Sequence, residues 1–146
     1  MFMKKCSLYF IIFIIIVIIV VSAWFSLNDN KVESQKVEFN IIDTAGNLSE
    51  AIEIAKSKDK KVFAVFESDT CTYCNQLRQN TLNNNQVMEK LNESYVVTVI
   101  DINKNPEIAS KYDVYSTPTM VILDSEGNEL KSIVGYYGPD DLLKMI

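Results

Sequence analysis

Histidine is missing altogether from the 146 residues. That excludes imidazole-based acid–base catalysis and any triad built on histidine, and it removes the commonest metal ligand. Clusters of positive charge are missing too. Lys4 and Lys5 alone of the basic residues precede residue 28, and no acidic residue does. Residues 28–146 therefore hold 12 basic side chains against 19 acidic ones, a net charge of −7. Such a domain repels phosphate backbones and offers no run of Lys and Arg to neutralise several of them, so nucleic acid is not expected as a partner. Internal repeats are absent, as is low-complexity sequence beyond one apolar run. Cysteine is scarce, with three residues: Cys6, Cys71 and Cys74. Hydrophobic residues are not scarce. At 48%, with 10% aromatic, they supply enough material for a packed core and argue against disorder.

The apolar run is Leu8 to Leu27, 20 residues without a charge. As a helix it would reach about 30 Å, the thickness of the hydrocarbon core of a bilayer. Lys4 and Lys5 stand before it, and Asp29 and Glu33 follow. The tendency of cationic flanks to stay in the cytoplasm thus places the N-terminus inside and the rest of the chain outside. A cleaved signal peptide is the competing reading, since Leu8 to Val21 suits its apolar region and Val21-Ser22-Ala23 suits cleavage. Both readings export the domain. Cys6 precedes the run, where it is either an incidental thiol at the inner face or an acylation site.

The chain divides into residues 1–27 as anchor or signal peptide, residues 28–36 as a polar tether, and residues 37–146 as the folded domain. In that domain Leu48, Ala51, Ile52 and Ala55 recur at helical spacing behind Asn47 or Ser49 as N-cap, predicting a helix over 48–58. Val62 to Phe66 is a continuous apolar run, the pattern of a strand covered on both faces. Residues 72–80 and 85–93 read as helices, and 95–102 reads as a second buried strand. Pro106 opens another helix. Thr119–Leu123 and Glu129–Val134 flank Asp124-Ser125-Glu126-Gly127-Asn128, a turn-rich connection of hairpin length, and Pro139 opens a last short helix. This order implies an α/β fold with a mixed sheet and helices on both faces.

Cys71-Thr72-Tyr73-Cys74 follows the first strand directly and opens a helix. Two cysteines three apart share one helical face and can close a small disulfide loop. The first meets the unsatisfied N–H groups and positive dipole of the helix start. These lower a thiol pKa from about 8.5 toward neutrality in such motifs, so Cys71 is expected to attack and Cys74, one turn inside, to resolve. Zinc would need two further ligands, and the only other cysteine lies across the membrane. Haem attachment would need histidine where Asn75 stands. A purely structural disulfide stays open as an alternative, although so small a loop constrains the unfolded chain weakly.

The strand Val62–Phe66, the Cys71-x-x-Cys74 helix and Ser116-Thr117-Pro118-Thr119 leading into a strand together resemble the thioredoxin superfamily over residues 37–146. The resemblance implies a thioredoxin-like fold. It also implies a cis bond before Pro118 that faces the cysteine pair and frees the backbone of Thr117 to pair with an extended substrate, with Thr72 and Tyr73 at the same surface. The sequence departs from thioredoxins that carry Trp just before the first cysteine and a buried Asp six residues before it. Thr70 and Val65 stand there, leaving Glu67 or Asp69 to accept a proton. The expectation is a membrane-held, extracytoplasmic thiol-disulfide oxidoreductase acting on exported proteins, with a preference for reduction. It would use no cofactor beyond its own disulfide and exchange electrons with a membrane donor or acceptor. The alternative is a non-catalytic adaptor of the same fold that holds extended partner segments.

Overall fold

The structure, a computed structural model, describes residues 44–146, so the expected membrane span over residues 8–27 lies outside the described residues. Among the described residues no helix is long and apolar enough to cross a membrane. The elements run β1 (Thr44–Ala45), α1 (Leu48–Lys58), β2 (Lys61–Glu67), α2 (Thr72–Gln76), a π-helical segment (Leu77–Leu82), α3 (Asn85–Ser94), β3 (Tyr95–Asp101), α4 (Pro106–Lys111), β4 (Thr119–Leu123), β5 (Glu129–Val134) and α5 (Pro139–Leu143).

Local signals explain most of these boundaries. The Asn47 side chain accepts the Glu50 N–H at 2.9 Å, and Glu50 Oε2 accepts the Gly46 N–H at 2.9 Å, a reciprocal cap that starts α1. Asn84 caps α3 in the same way, its Oδ1 accepting from Gln86 and Val87. Pro106 and Pro139 occupy first turns, where a missing N–H costs nothing.

The five strands lie in the order β1-β3-β2-β4-β5. β2 is parallel to β3 and antiparallel to β4, which forms a hairpin with β5, so the sheet is mixed as expected. β2 lies at its centre, and Val62 to Phe66 are all buried. The strand period of two splits them. Phe63 and Val65 join Leu77, Leu82, Val87, Leu91 and Leu142 on one face, while Val62, Ala64 and Phe66 join Leu48, Ala51, Ala55 and Tyr112 on the other.

One helix differs from its expected form. The segment expected over 72–80 keeps α-helical bonding only to Gln76, then runs as a π-helix to Leu82. Bonding from i to i+5 sets Leu77 and Leu82 about one turn apart, and both are fully buried in the same core. Thr81, buried between them, donates its hydroxyl to the Tyr137 carbonyl at 2.6 Å. Packing against the sheet and the C-terminal segment thus outweighs the α-helical preference of the isolated sequence.

Candidate active site

The site begins where β2 ends. Beyond Glu67 the chain turns through Ser68, Asp69 and Thr70, and Cys71 is the N-cap of α2 in an extended conformation. Its N–H donates to the Ser68 carbonyl at 3.1 Å, while its sulfur accepts the Cys74 N–H at 3.1 Å. Cys71 and Cys74 form a disulfide with Cα atoms 5.2 Å apart. Access to the two differs, since Cys74 is only 1% exposed and Cys71 is partly open to solvent.

Thr72 and Tyr73 are exposed on the first turn of α2. The Tyr73 ring lies 6.5 Å from that of Tyr136, which follows β5 and forms a rim to the site. The peptide bond between Thr117 and Pro118 is cis. Pro118 is buried, and its carbonyl accepts the N–H of Gly135 at 2.8 Å. Gly135 has φ +99°, a conformation that side-chain-bearing residues rarely adopt, so a glycine belongs at this closure. Thr117 is partly exposed, and its hydroxyl lies 3.3 Å from that of Ser68. Among the described residues no hydrogen bond reaches the main-chain N–H or C=O of Thr117.

The two candidate proton acceptors have different surroundings. Asp69 has a side chain 79% exposed, 3.7 Å from Lys104 Nζ, a solvated charge. Glu67 has a side chain only 16% exposed. By strand alternation it faces the same side as Phe63 and Val65, the side packed by Leu77 and Leu82 of the π-helical segment, two residues nearer the end of β2 than Val65. Arg78 Nη1 donates to Glu67 Oε1 at 2.9 Å, while the buried Oε2 has no hydrogen-bond partner. Burial pushes the Glu67 carboxyl above its ordinary range, and Arg78 opposes that rise.

Sequence reasoning assigns no role to Arg78 or Ser68. Arg78 had a legible signal, being the only arginine in the chain and the only charge between Thr72 and Leu82. Ser68 had none, because its place in the site is set by the register of two distant strands.

The Glu67–Arg78 pair makes stability depend on pH. Because the folded state holds the Glu67 proton to higher pH than the unfolded chain does, this group's contribution to stability declines as pH rises from about 4.5 through its raised value. Arg78 counters the decline. Arg78→Met is therefore expected to destabilise the protein by about 1–2 kcal/mol at pH 7, between the values typical of exposed and buried pairs, and by less at pH 4. Urea unfolding at the two pH values measures it, and an equal loss at both would show that the pair contributes no charge linkage.

Comparison with known proteins places this geometry. The family described as Thioredoxin-like domain matches residues 48–146, about two thirds of the chain. The chain belongs to the thioredoxin-like family. Among curated relatives, the thiol:disulfide interchange protein DsbD of Campylobacter jejuni is 24% identical over 124 residues, covering 82% of this chain and 21% of the relative. The thioredoxin of Listeria monocytogenes is 26% identical over 93 residues, covering 57% of this chain and 89% of that one. A solved thioredoxin from Thermus thermophilus superposes with TM-score 0.65 at 25% identity, covering 72% of this chain and 84% of that one. The chain spans about a fifth of the length of the interchange proteins it matches. Within this thioredoxin-like domain, Cys71 and Cys74 stand at disulfide distance. No group of three or more His, Cys, Asp or Glu among the described residues could hold a metal ion.

Proposed function

We propose that this protein is a thiol-disulfide oxidoreductase acting on protein disulfides. The observation that carries the reading is the asymmetric pair: a partly open Cys71 at the start of a helix, joined to a buried Cys74. In the reducing direction the Cys71 thiolate attacks one sulfur of a substrate disulfide, forming a mixed disulfide and releasing the other substrate sulfur as a thiolate. Cys74, after giving up its proton, attacks the Cys71 sulfur. The second substrate thiol departs and the Cys71–Cys74 disulfide forms, so two electrons pass from enzyme to substrate. A membrane-held dithiol partner then restores the reduced pair.

Roles follow for the neighbours. Glu67 takes the Cys74 proton, since its carboxylate is sheltered beside Arg78 on the segment that continues the cysteine helix, whereas Asp69 stays in solvent. Thr117, with its unengaged main chain before the cis Pro118, pairs with an extended substrate segment. Thr72 and Tyr73 border that segment. The uncharged run Leu8 to Leu27 behind Lys4 and Lys5 holds the protein in the cell membrane with the thioredoxin-like domain outside, so exported thiol or disulfide proteins are the substrates. The intact mass of the native protein is expected to retain Met1 to Ala23, and a mature N-terminus at Trp24 would show a released enzyme instead.

Electron flow is assigned as reductive. Equilibration of the Cys71/Cys74 couple with glutathione buffers is expected to give a potential closer to about −270 mV than to the strongly oxidising value of about −120 mV. A result at the oxidising end overturns the direction. Failure to exchange with glutathione at all overturns the redox function and leaves an adaptor with a structural disulfide.

A further inference from the structure

In the antiparallel pairing of β2 with β4, Val62 lies opposite Leu123, Ala64 opposite Val121 and Phe66 opposite Thr119. Continuing the register two residues past the end of the ladder, beyond Glu67 and Pro118, brings Ser68 toward Thr117. The ladder itself stops because Pro118, between Thr117 and Thr119, has no N–H to donate. Ser68 and Thr117 remain face to face as a cross-strand pair of hydroxyl residues, and their oxygens lie 3.3 Å apart. The carbonyl of the same Ser68 accepts the N–H of Cys71 at 3.1 Å. One residue therefore touches both halves of the site: its main chain holds the cysteine that opens the helix, and its side chain holds the residue that precedes the cis proline.

We infer that Ser68 is a positioning residue that sets the gap between Cys71 and the substrate-pairing main chain of Thr117, and so governs capture of extended protein substrates. The inference rests on the proposed oxidoreductase function. The Ser68 carbonyl contact with Cys71 survives any change of side chain, whereas the hydroxyl contact with Thr117 does not. Without the hydroxyl, the Thr117 segment keeps the Gly135 N–H donated to the Pro118 carbonyl and the Thr119 hydroxyl donated to the Ser116 carbonyl, but loses its hydrogen bond to the cysteine side of the site. A substrate must then order that segment as it binds, which weakens capture. Chemistry within the bound complex depends on the cysteine sulfurs and is retained. A small aromatic disulfide that forms no strand with Thr117 does not sense the change.

The test is steady-state reduction of insulin by the full-length chain with dithiothreitol, compared with its reaction with 5,5′-dithiobis(2-nitrobenzoate). Ser68→Ala is expected to raise KM for insulin by about two- to fivefold, the range of one cross-strand hydroxyl pair, with kcat retained. Its reaction with the small disulfide should stay within about twofold of wild type, which also shows that the variant is folded. Ser68→Thr keeps the hydroxyl and should restore KM. Thr117→Val should raise KM similarly, and the double variant should be no worse than the poorer single one, because both remove the same contact. An unchanged KM in Ser68→Ala, or effects that multiply in the double variant, overturns the positioning role while the function stands. A wild-type chain inert toward both disulfides overturns the function and this role together.

Discussion

Cys71→Ser is expected to reduce insulin no faster than dithiothreitol alone, while Cys74→Ser should accumulate a covalent adduct with its substrate. The two outcomes differ because the cysteines differ in position. Cys71 occupies the N-cap of α2, partly open to solvent, with its sulfur accepting the Cys74 N–H; Cys74 is sealed within the helix packing. A substrate sulfur can approach the first and not the second. Without Cys71 no mixed disulfide forms, and the remaining thiol cannot replace it. Without Cys74 the attack still proceeds but nothing resolves the intermediate, which mass spectrometry detects as enzyme plus substrate, released by excess reductant. Limited alkylation of the reduced wild-type protein should label Cys71 first. Trapping through Cys74 in the Cys71→Ser protein, with none through Cys71, would reverse the roles.

Phe66→Ala should cost about 3–5 kcal/mol of stability, a large share of the roughly 5–15 kcal/mol that a typical domain has to lose. Phe66 is fully buried on the face that packs Val62, Ala64, Leu48, Ala51 and Tyr112, and its ring centroid lies 6.2 Å from that of Tyr112. Tyr112 has limited freedom to fill the vacated space. Its hydroxyl is fastened to the Gly127 carbonyl at 2.9 Å, in a turn where Gly127 has φ +82° and already leaves no room beside Ile52. The cavity therefore stays largely open, which places the loss at the upper end of the range. Phe66 is also the last β2 residue paired with β4, through Thr119, so weakening its anchorage loosens the start of the strand that carries Pro118. Leu130→Ala on edge strand β5, where the residue is 54% exposed, should change stability by no more than about 0.5 kcal/mol. Urea denaturation of both variants makes the comparison, and a Phe66→Ala loss below about 1 kcal/mol would mean that this face of the core can collapse onto the gap.

Features whose physics is complete within a short stretch of chain are legible in the amino-acid sequence. Asn47, the apolar spacing from Leu48 to Ala55 and the last-turn Lys56 and Lys58 lie within a dozen residues, and α1 runs Leu48–Lys58 as expected. The hairpin strands are legible for a similar reason: Asp124, Gly127 and Asn128 build their own turn, with Asp124 Oδ1 accepting the N–H groups of Glu126 and Asn128. The continuous apolar run of β2 could be buried only by cover on both faces, so the sequence alone determined that it is central. Cys71-x-x-Cys74 after that strand likewise determined the disulfide and which cysteine opens the helix, because strand end, cap and pair are contiguous.

Contacts that join distant segments were decided only by the tertiary structure. The π-helical run Leu77–Leu82 answers to the core beneath it and to the Tyr137 carbonyl, 56 residues beyond Thr81. Glu67 and Asp69 are indistinguishable in sequence as carboxylates near a strand end; the fold shelters one beside Arg78 and leaves the other in water. Ser68 and Thr117 stand 49 residues apart and meet because they lie just beyond the paired ends of β2 and β4. Side-chain chemistry and local spacing specify which groups each segment offers, but a site assembled across a sheet depends on register, and register is settled by which faces of the whole domain are buried together.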